Sequence, residues 1–290
     1  MIDLHIHTDA SSDGQHSPRE IFEMARGKGL RAIAFADHNS IDHVAEGLAL
    51  SEEFRLEFIP CLELNTLYNG LDLHLLAYFI DPGNPQLQDW LKNIHQKKIE
   101  QAEKRLARLN QLGFIFDGKD LRKFAAGRIP TGMSFLRAIL SRKENLTDPR
   151  LQPYISGARS NSPYVNFYRD YLRGGKPAFV PIEDILTLEA ISKIKGIGAV
   201  PVLAHPSDTG QQNILALVQN GLEGLEVYTS YHSPEEQEGF RNFAAAHELL
   251  VTAGSDFHGK AVKPDVDLGQ GGEDHYDLLL KLKKWRKDKR

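Results

Sequence analysis

The sequence predicts an α/β fold in which parallel strands are joined by helices. Short apolar runs rich in β-branched residues alternate with helical segments, and this alternation is typical of parallel sheets with crossover helices. Seven strands are expected, at residues 2–6, 31–36, 57–62, 73–79, 199–204, 222–228 and 249–254. The first helix has the clearest start, because Ser17, Pro18 and Glu20 match the capping-box pattern.

Residues 85–180 interrupt the alternation. They begin with a long charged helix, QLQDWLKNIHQKKIEQAEKRLARLNQLG, followed by a shorter helix near 131–142 and a loop-like stretch at 143–163. We therefore expect a mainly helical subdomain at 85–180, inserted into a domain made of residues 1–84 and 181–290. The alternative is that the long helix is an ordinary crossover helix followed by a long loop.

The composition is that of a globular protein, with 41% hydrophobic and 26% charged residues in 290. A net charge of −4 argues against non-specific nucleic-acid binding but allows a small anionic substrate. The single cysteine, Cys61, cannot form an internal disulfide, which fits a reducing compartment. No signal pattern and no apolar run of about 20 residues is found. We expect a cytoplasmic protein that neither enters a membrane nor needs an obligate protein partner.

Ionisable residues recur at the predicted strand ends. Alternation places His5 and His7 on the same face of the first strand. Other acids and imidazoles occur at or near later strands: Asp37, His38, Glu63, His74, His205, Asp256 and His258. In a parallel barrel the carboxyl ends of the strands meet on one face. The sequence therefore predicts that these side chains converge.

Convergence of so many ionisable groups favours a cluster of cations, because burying them uncompensated is costly. Imidazole and carboxylate ligands without thiolate suit Mn, Zn or Fe, and two or three ions are expected. A Ser-His-Asp triad built on Ser255 is the main competitor, but GSDFHG is not a nucleophile elbow and most imidazoles would stay unexplained. The remaining histidines are interpreted as ordinary surface or core residues, with His232 the one exception.

Six segments in order resemble the motifs of the PHP (polymerase and histidinol phosphatase) superfamily of metal-dependent phosphoesterases. They are IDLHIHTDASSDG, FADHNSID, CLELN, LHLLAY, LAHPSD and GSDFHG, and the resemblance covers about residues 1–80 and 196–270. It implies a distorted (β/α)7 barrel, similar to a TIM barrel, that commonly holds three metals. It also implies a ligand set for each ion.

In that set His5, His7, Glu63 and Asp256 hold the first ion and the catalytic metal-bound water. Glu63, His74 and His205 hold the second ion, with Glu63 as the bridge. Asp13, His38 and His258 hold the third, and Asp9 is the alternative to Asp13.

Two further segments, GRIPTGMSFLRAIL and YLRGGKPAFVP, are similar to the PHP branch that acts on nucleoside 3′,5′-bisphosphates and on the 5′ ends of short RNA. The resemblance implies substrate contacts from Arg128 and Lys176, with Arg173, Arg159 and His232 as further candidates. The chain departs from the branch at Arg128-Ile129-Pro130-Thr131, where relatives often have Arg-Pro-His.

The expected activity is hydrolysis of a phosphomonoester on a nucleotide by attack of metal-bound hydroxide. The alternatives are 5′→3′ exonuclease action on short oligoribonucleotides, histidinol-phosphate hydrolysis, and a non-catalytic metal-binding module.

Overall fold

The computed structural model describes residues 1–181 and 185–289 and has a mixed α/β architecture. The strands are β1 (Ile2–Ile6), β2 (Ala32–Phe35), β3 (Glu57–Phe58), β4 (Glu63–Tyr68), β5 (Leu71–Tyr78), β6 (Val200–Leu203), β7 (Gly224–Tyr228) and β8 (Leu250–Ala253). β1, β2 and β3 form a parallel three-stranded sheet, and the other five strands form a second sheet in chain order.

The expectation of an entirely parallel arrangement is wrong. β4 pairs antiparallel with β5, and β5 pairs antiparallel with β6, whereas β6, β7 and β8 are parallel. The predicted third strand at 57–62 also ends early, and Glu63 is the first residue of an additional strand, β4. The physical reason is a two-residue turn at Asn69 and Gly70, which joins β4 directly to β5 without a crossover helix.

Two isolated bridges join the two sheets to each other. An isolated parallel bridge joins Ile6 to Phe257, and another joins His38 to Glu63. Within the described residues the strands form two sheets and not one continuous closed barrel. The predicted (β/α)7 barrel is therefore confirmed only as a mixed α/β fold.

Helices flank these sheets: α1 (Pro18–Gly27), α2 (Val44–Phe54), α8 (Thr187–Gly196), α9 (Gln211–Gln219), α10 (Pro234–Ala246) and α11 (Tyr276–Asp288). The predicted capping box is confirmed, since the Ser17 hydroxyl accepts from the Glu20 amide and the Glu20 carboxylate accepts from the Ser17 amide.

Cys61 is buried and free. No helix in the described part of the chain is long and apolar enough to cross a bilayer.

The region 85–180 is mainly helical in the structure. It contains α3 (Pro85–Gln111), α4 (Gly118–Ala125), α5 (Gly132–Leu140), α6 (Gln152–Ile155) and α7 (Pro163–Phe167), and Tyr168–Leu172 continues as a π-helical turn. These helices bury an apolar cluster of their own that includes Phe114, Phe135 and Phe167. The stretch predicted as a loop at 143–163 includes α6 and a short 3-10 helix, Lys143–Asn145. Residues 182–184, at the predicted domain junction, lie outside the described residues.

Candidate metal centre

The predicted convergence occurs around one carboxylate, that of Glu63, which is fully buried. Its Oε1 lies 2.9 Å from His74 Nδ1, 3.2 Å from His205 Nε2 and 3.4 Å from His5 Nε2. Its Oε2 lies 2.8 Å from His38 Nδ1 and 3.3 Å from His7 Nε2. Glu63 is thus surrounded by imidazoles that come from both sheets.

A second carboxylate, that of Asp256, faces the same imidazoles from the other side. Asp256 Oδ1 lies 3.1 Å from His7 Nε2, 3.5 Å from His5 Nε2 and 3.4 Å from His258 Nδ1. The Nε2 atoms of His5 and His7 are 3.2 Å apart. Three groups of side chains have donor atoms close enough to share an ion: His5, His7 and Asp256; His7, His38 and His258; and His38, Glu63 and His74.

Two buried oxygens in this cluster support a cation. Glu63 Oε2 and Asp256 Oδ1 are buried and accept no hydrogen bond within the described part of the chain. Buried carboxylate oxygens without a donor are expensive unless a positive charge offsets them. Nitrogen and oxygen ligands without sulfur fit a divalent transition metal. The donor set therefore fits the metals that the sequence predicts.

The backbone around the cluster is strained and tightly packed. His205 and Asp256 adopt left-handed conformations, with φ of 30° and 56°, which are unfavourable for residues other than glycine. A Cβ at Gly254 would lie 2.3 Å from the Cβ of His5 and 2.9 Å from Glu226 Oε1. Only glycine fits at 254, because His5 and its partner Glu226 lie directly against this backbone.

The pKa values of the imidazoles in the cluster are shifted by burial and by the neighbouring charges. Burial alone would lower the pKa of His5, but Glu226 and Glu63 raise it well above its ordinary value. Burial is likewise overcome at His7, where the nearby carboxylates of Asp256 and Glu63 raise the pKa to about 9. Burial and the neighbouring His7 lower the pKa of His258. The protein without metal therefore holds protons on some of the imidazoles and not on others.

Three carboxylates outside the predicted ligand set support the cluster. Glu226, fully buried in β7, accepts a hydrogen bond from His5 Nδ1 at 3.0 Å and another from the His205 amide at 3.0 Å. Asp37 accepts from Thr8 and Ser11, and Asp3 accepts from Ser255 and Gly269. Glu226 keeps the proton of His5 on Nδ1, which leaves Nε2 free to face Glu63 and Asp256.

The outer oxygen of Asp256 has two further partners. Asp256 Oδ2 accepts a hydrogen bond from the Tyr231 hydroxyl at 2.7 Å and from Lys263 Nζ at 2.6 Å. Sequence analysis missed both residues, because a lone tyrosine or lysine in a loop carries no signal. Both side chains line a large cavity beside the cluster.

Asp13 and Asp9 are placed differently. Asp13 lines the cavity, and its Oδ1 is buried without a hydrogen-bond partner among the described residues. Asp9 instead lies 3.4 Å from His43 Nδ1 and 3.7 Å from the Arg128 guanidinium. Asp9 Oδ1 is also buried without a hydrogen-bond partner there, so what distinguishes Asp13 is that it lines the cavity and forms no ion pair with another described residue.

A cavity of about 1200 Å³ lies between the cluster and the helices of 85–180. This is larger than the roughly 300–1,000 Å³ of ordinary small-molecule sites. Of the predicted substrate residues, Arg128 and Arg173 line the cavity, and Arg173 also pairs with Asp208 at 2.8 Å.

The other predicted substrate residues are not among the side chains that line this cavity. Lys176 is exposed, and Arg159 pairs with Asp170. His232 is buried, with Nδ1 2.7 Å from the carbonyl oxygen of Val227. The structure therefore brings two of the five predicted substrate residues to the cavity.

Comparison with known proteins finds a domain match for the first part of the chain. Residues 3–125 match the PHP domain, and this range contains His5, His7, Asp13, His38, Glu63 and His74. The chain carries a PHP domain. The PHP assignment accounts for the buried imidazoles and carboxylates better than a serine triad, and it identifies the protein as a metal-dependent phosphoesterase.

Relatives extend this similarity beyond the PHP domain match. The 3′,5′-nucleoside bisphosphate phosphatase of Chromobacterium violaceum is 29% identical over 281 residues, covering 94% of this chain and 90% of that protein. The 5′-3′ exoribonuclease of Haemophilus influenzae is 28% identical over 264 residues, and the alignment covers 88% of this chain and 89% of that protein. A solved structure from Bifidobacterium adolescentis, provisionally named a metal-dependent phosphoesterase, aligns with a TM-score of 0.78 and 27% identity over 97% of this chain and 94% of that one.

Metal binding is expected to release protons. Because the pKa of His7 is about 9 without metal, its imidazole carries a proton at neutral pH, and a ligand imidazole must lose it. Apparent Mn affinity should therefore rise between about pH 6 and about pH 9, by about tenfold per pH unit for each proton released. Calorimetric titration in buffers of different ionisation enthalpy measures this release. Affinity that does not change with pH would contradict the proposed use of His7.

Replacing Glu226 with Gln is expected to weaken metal binding without unfolding the protein. The amide keeps the volume of Glu226 but no longer fixes the proton on His5 Nδ1 as a carboxylate does. Loss of such a supporting contact typically costs about 10- to 100-fold in metal affinity or activity. The matched control is Glu53→Gln, an exposed glutamate paired with Arg19. Equal metal affinity in both variants would mean that Glu226 does not position His5.

Proposed function

We propose that this PHP protein hydrolyses a phosphomonoester on a nucleotide, and that its substrate is a nucleoside 3′,5′-bisphosphate. The observation that carries the chemistry is the contact of the Glu63 carboxylate with five imidazoles, in a cluster where Glu63 Oε2 and Asp256 Oδ1 are buried and accept no hydrogen bond from a described residue. The observation that favours the substrate is similarity to the nucleoside bisphosphate phosphatase over 94% of the chain.

The ligand roles are part of this proposal. His5, His7, Glu63 and Asp256 would hold one ion, Glu63, His74 and His205 a second, and Asp13, His38 and His258 a third. The donor types suit Mn, Zn or Fe. Bound ions would lower the pKa of a water, orient the phosphoryl oxygens and offset charge in the transition state.

The protein groups have separate tasks in this scheme. Glu226 holds His5 in the tautomer that presents Nε2 to the cluster. Tyr231 and Lys263 hold Asp256 Oδ2, so that Oδ1 faces His5 and His7. Arg128 and Arg173 supply positive charge in the cavity for the substrate phosphate. Lys176 and Arg159, within 85–180, and His232, outside it, would contact substrate only in a conformation that brings them to the cavity.

The proposal also includes the architecture. We propose that residues 1–84 and 181–290 form a distorted (β/α)7 barrel and that 85–180 is a subdomain inserted over its metal-binding face. The bridges Ile6–Phe257 and His38–Glu63, which join the two sheets at opposite sides, support this arrangement. The separate apolar cluster of 85–180 supports an insertion.

The experiment is release of inorganic phosphate from adenosine 3′,5′-bisphosphate by the full chain with added Mn. We expect turnover with this compound to exceed turnover with histidinol phosphate by at least tenfold. No release from the bisphosphate, with good turnover of histidinol phosphate, would overturn the nucleotide assignment. A folded, metal-loaded protein that is inert with a broad panel of phosphoesters would favour a non-catalytic module.

The second candidate is 5′→3′ exonuclease action on short oligoribonucleotides. The cavity volume of about 1200 Å³ favours it, because a site this large has room beyond a mononucleotide. The relative from Haemophilus influenzae carries this name. Comparing 5′-phosphorylated di- and trinucleotides with mononucleotides separates the two activities, and faster turnover of the oligonucleotides would favour the exonuclease.

A further inference from the structure

The loop between β1 and α1 carries Asp13, the proposed carboxylate ligand of the third ion. Its neighbours in the loop contact the other two proposed ligands of that ion. On one side, Ser11 Oγ accepts a hydrogen bond from the His38 amide at 2.9 Å. On the other side, the Gln15 amide donates to the His258 carbonyl at 3.0 Å. The loop is therefore fixed against both histidines, with Asp13 between the two points of attachment.

Ser12, directly before Asp13, has its partners in the helical region 85–180. The Ser12 hydroxyl donates to Thr131 Oγ1 at 2.9 Å and accepts from the Ser134 hydroxyl at 3.2 Å. The Thr131 amide in turn donates to Ser134 Oγ at 3.3 Å. Thr131 is the N-cap residue of α5, and Ser134 lies in its first turn. The start of α5 is thus joined by hydrogen bonds to the loop that carries Asp13.

This contact between α5 and the loop is withdrawn from solvent. Ser134 is fully buried, and Ser12 is only 6% exposed. A buried hydroxyl without a partner is costly, so separating α5 from the loop is unfavourable unless water replaces the lost contacts. Close by, the Arg128 guanidinium lies 3.7 Å from the Asp9 carboxylate. The helical region therefore holds the same loop at two points, Asp9 and Ser12.

The Asp13 carboxylate depends on this loop for its position. Its Oδ1 is buried and has no hydrogen-bond partner in the part of the chain that the structure describes. The turn behind it is closed tightly, because a Cβ at Gly14 would lie 1.7 Å from the Thr8 carbonyl oxygen. A metal ligand must be held in place by its surroundings, and here the loop backbone does so. A shift of Ser12 would move the adjacent Asp13.

We propose that Ser12, Thr131 and Ser134 are positioning residues for the third ion. By holding the loop against α5, they place the Asp13 carboxylate beside the two imidazoles of the third ligand set. The inference rests on the proposed function, because that ligand set is taken from it. It gives the helical region a role in metal binding although none of its residues is a proposed ligand. Ion binding and docking of α5 are then linked, and each favours the other.

The test is the Ser134→Ala variant, whose full chain is freed of metal with a chelator and titrated calorimetrically with Mn. Losing a contact that supports a ligand costs about 10- to 100-fold in metal affinity. We expect the Kd of one Mn site to rise at least tenfold, and the Kd values of the other two to change less than about threefold.

Ser141→Ala is the matched control for this titration. Ser141 is the C-cap residue of the same helix, and its hydroxyl donates to the Ala138 carbonyl at 2.7 Å, so it makes a contact within α5 and not to the loop. We expect Mn binding to this control to equal that of the wild type. Unchanged affinity at all sites of Ser134→Ala, or fewer than three Mn ions per wild-type chain, would overturn the proposal.

A double variant separates positioning of Asp13 from general loosening of the structure. Asp13→Asn removes the charge of the ligand and should weaken the same Mn site. If Ser134 acts through Asp13, adding Ser134→Ala to Asp13→Asn should weaken that site less than about threefold further, whereas independent effects add in free energy. A further tenfold loss would count against the proposal. Thr131→Val, which removes only a hydroxyl in a side chain of similar shape, carries both tests if Ser134→Ala does not fold.

Amide hydrogen exchange of α5 gives a readout that needs no substrate. Because ion binding and α5 docking are linked, Mn should slow exchange in Gly132–Leu140 of the wild type and not of Asp13→Asn. The same response in both proteins would refute the link. If the bisphosphate is hydrolysed but α5 does not respond to Mn, only this inference fails. If α5 responds and no phosphate is released, the proposed function fails and the positioning of Asp13 stands.

Discussion

Replacing Glu63 with Gln should abolish phosphate release, with kcat at least about a thousandfold below that of the wild type. Glu63 contacts five imidazoles through its two oxygens, so both proposed ions that it bridges would lose a charged ligand. Loss of one electrostatic contact to the transition state commonly costs about 10²–10³-fold, and here the contact also holds the centre together. Glutamine keeps the volume of the side chain, so the fold should survive.

Steady-state kinetics and metal analysis of Glu63→Gln measure this effect, with circular dichroism to verify folding. Glu53→Gln is again the control, because Glu53 is exposed and distant from the cluster. Retention of more than about a tenth of wild-type activity would show that Glu63 is not a bridging ligand.

Replacing Asp256 with Ala should also abolish turnover, and His7→Ala should have the same effect. Asp256 Oδ1 is shared by His5, His7 and His258, so its removal takes a carboxylate contact away from three imidazoles at once. Much of the fold should remain, since the residues on each side, Ser255 and Phe257, keep their backbone contacts to Asp3 and His7. Phosphate release and thermal unfolding of each variant give the two readouts. Asp277→Ala, at an exposed position of α11, is the control.

Unchanged activity in either Asp256→Ala or His7→Ala would mean that the metal assignment is wrong. Loss of activity together with global unfolding would not separate structure from chemistry. The conservative Asp256→Asn variant resolves that case, because it keeps the side-chain volume and removes only the charge. Full activity of a folded Asp256→Asn would exclude the carboxylate as a ligand.

The convergence of the site could be predicted from the sequence because acids and imidazoles recur at strand ends. His5, His7, Glu63 and Asp256 lie together in the structure as the alternation and the strand ends indicate. The alternation of strand and helix, however, hides connections that use no helix. For that reason the sheet order, with β4 and β5 antiparallel, differs from the expectation.

The missed strand did carry a signal. Asn69-Gly70 lies between two alternating segments, and Asn-Gly is a strong hairpin pattern. Both residues have positive φ, 49° and 78°, as a two-residue hairpin turn requires. Reading this pair as a turn would have placed Glu63 at the start of a strand and would have put His74 opposite Asn65, its observed partner.

Other parts of the site could not be read from local patterns. Glu226 stands in an apolar strand, where an isolated carboxylate indicates burial but does not name a partner such as His5. Tyr231 and Lys263 become notable only when tertiary packing brings them to Asp256 Oδ2. Local sequence gives the chemistry of a side chain, whereas its partners depend on contacts between distant segments.

Anomalous diffraction from crystals of the Mn-loaded protein tests the central claim most directly. Data collected above and below the Mn absorption edge locate the ions independently of any assay. The account predicts at least two peaks about 4 Å apart with Glu63 between them, one beside His5, His7 and Asp256 and the other beside His74 and His205. Absence of any peak within bonding distance of Glu63 in metal-loaded, active protein would contradict it.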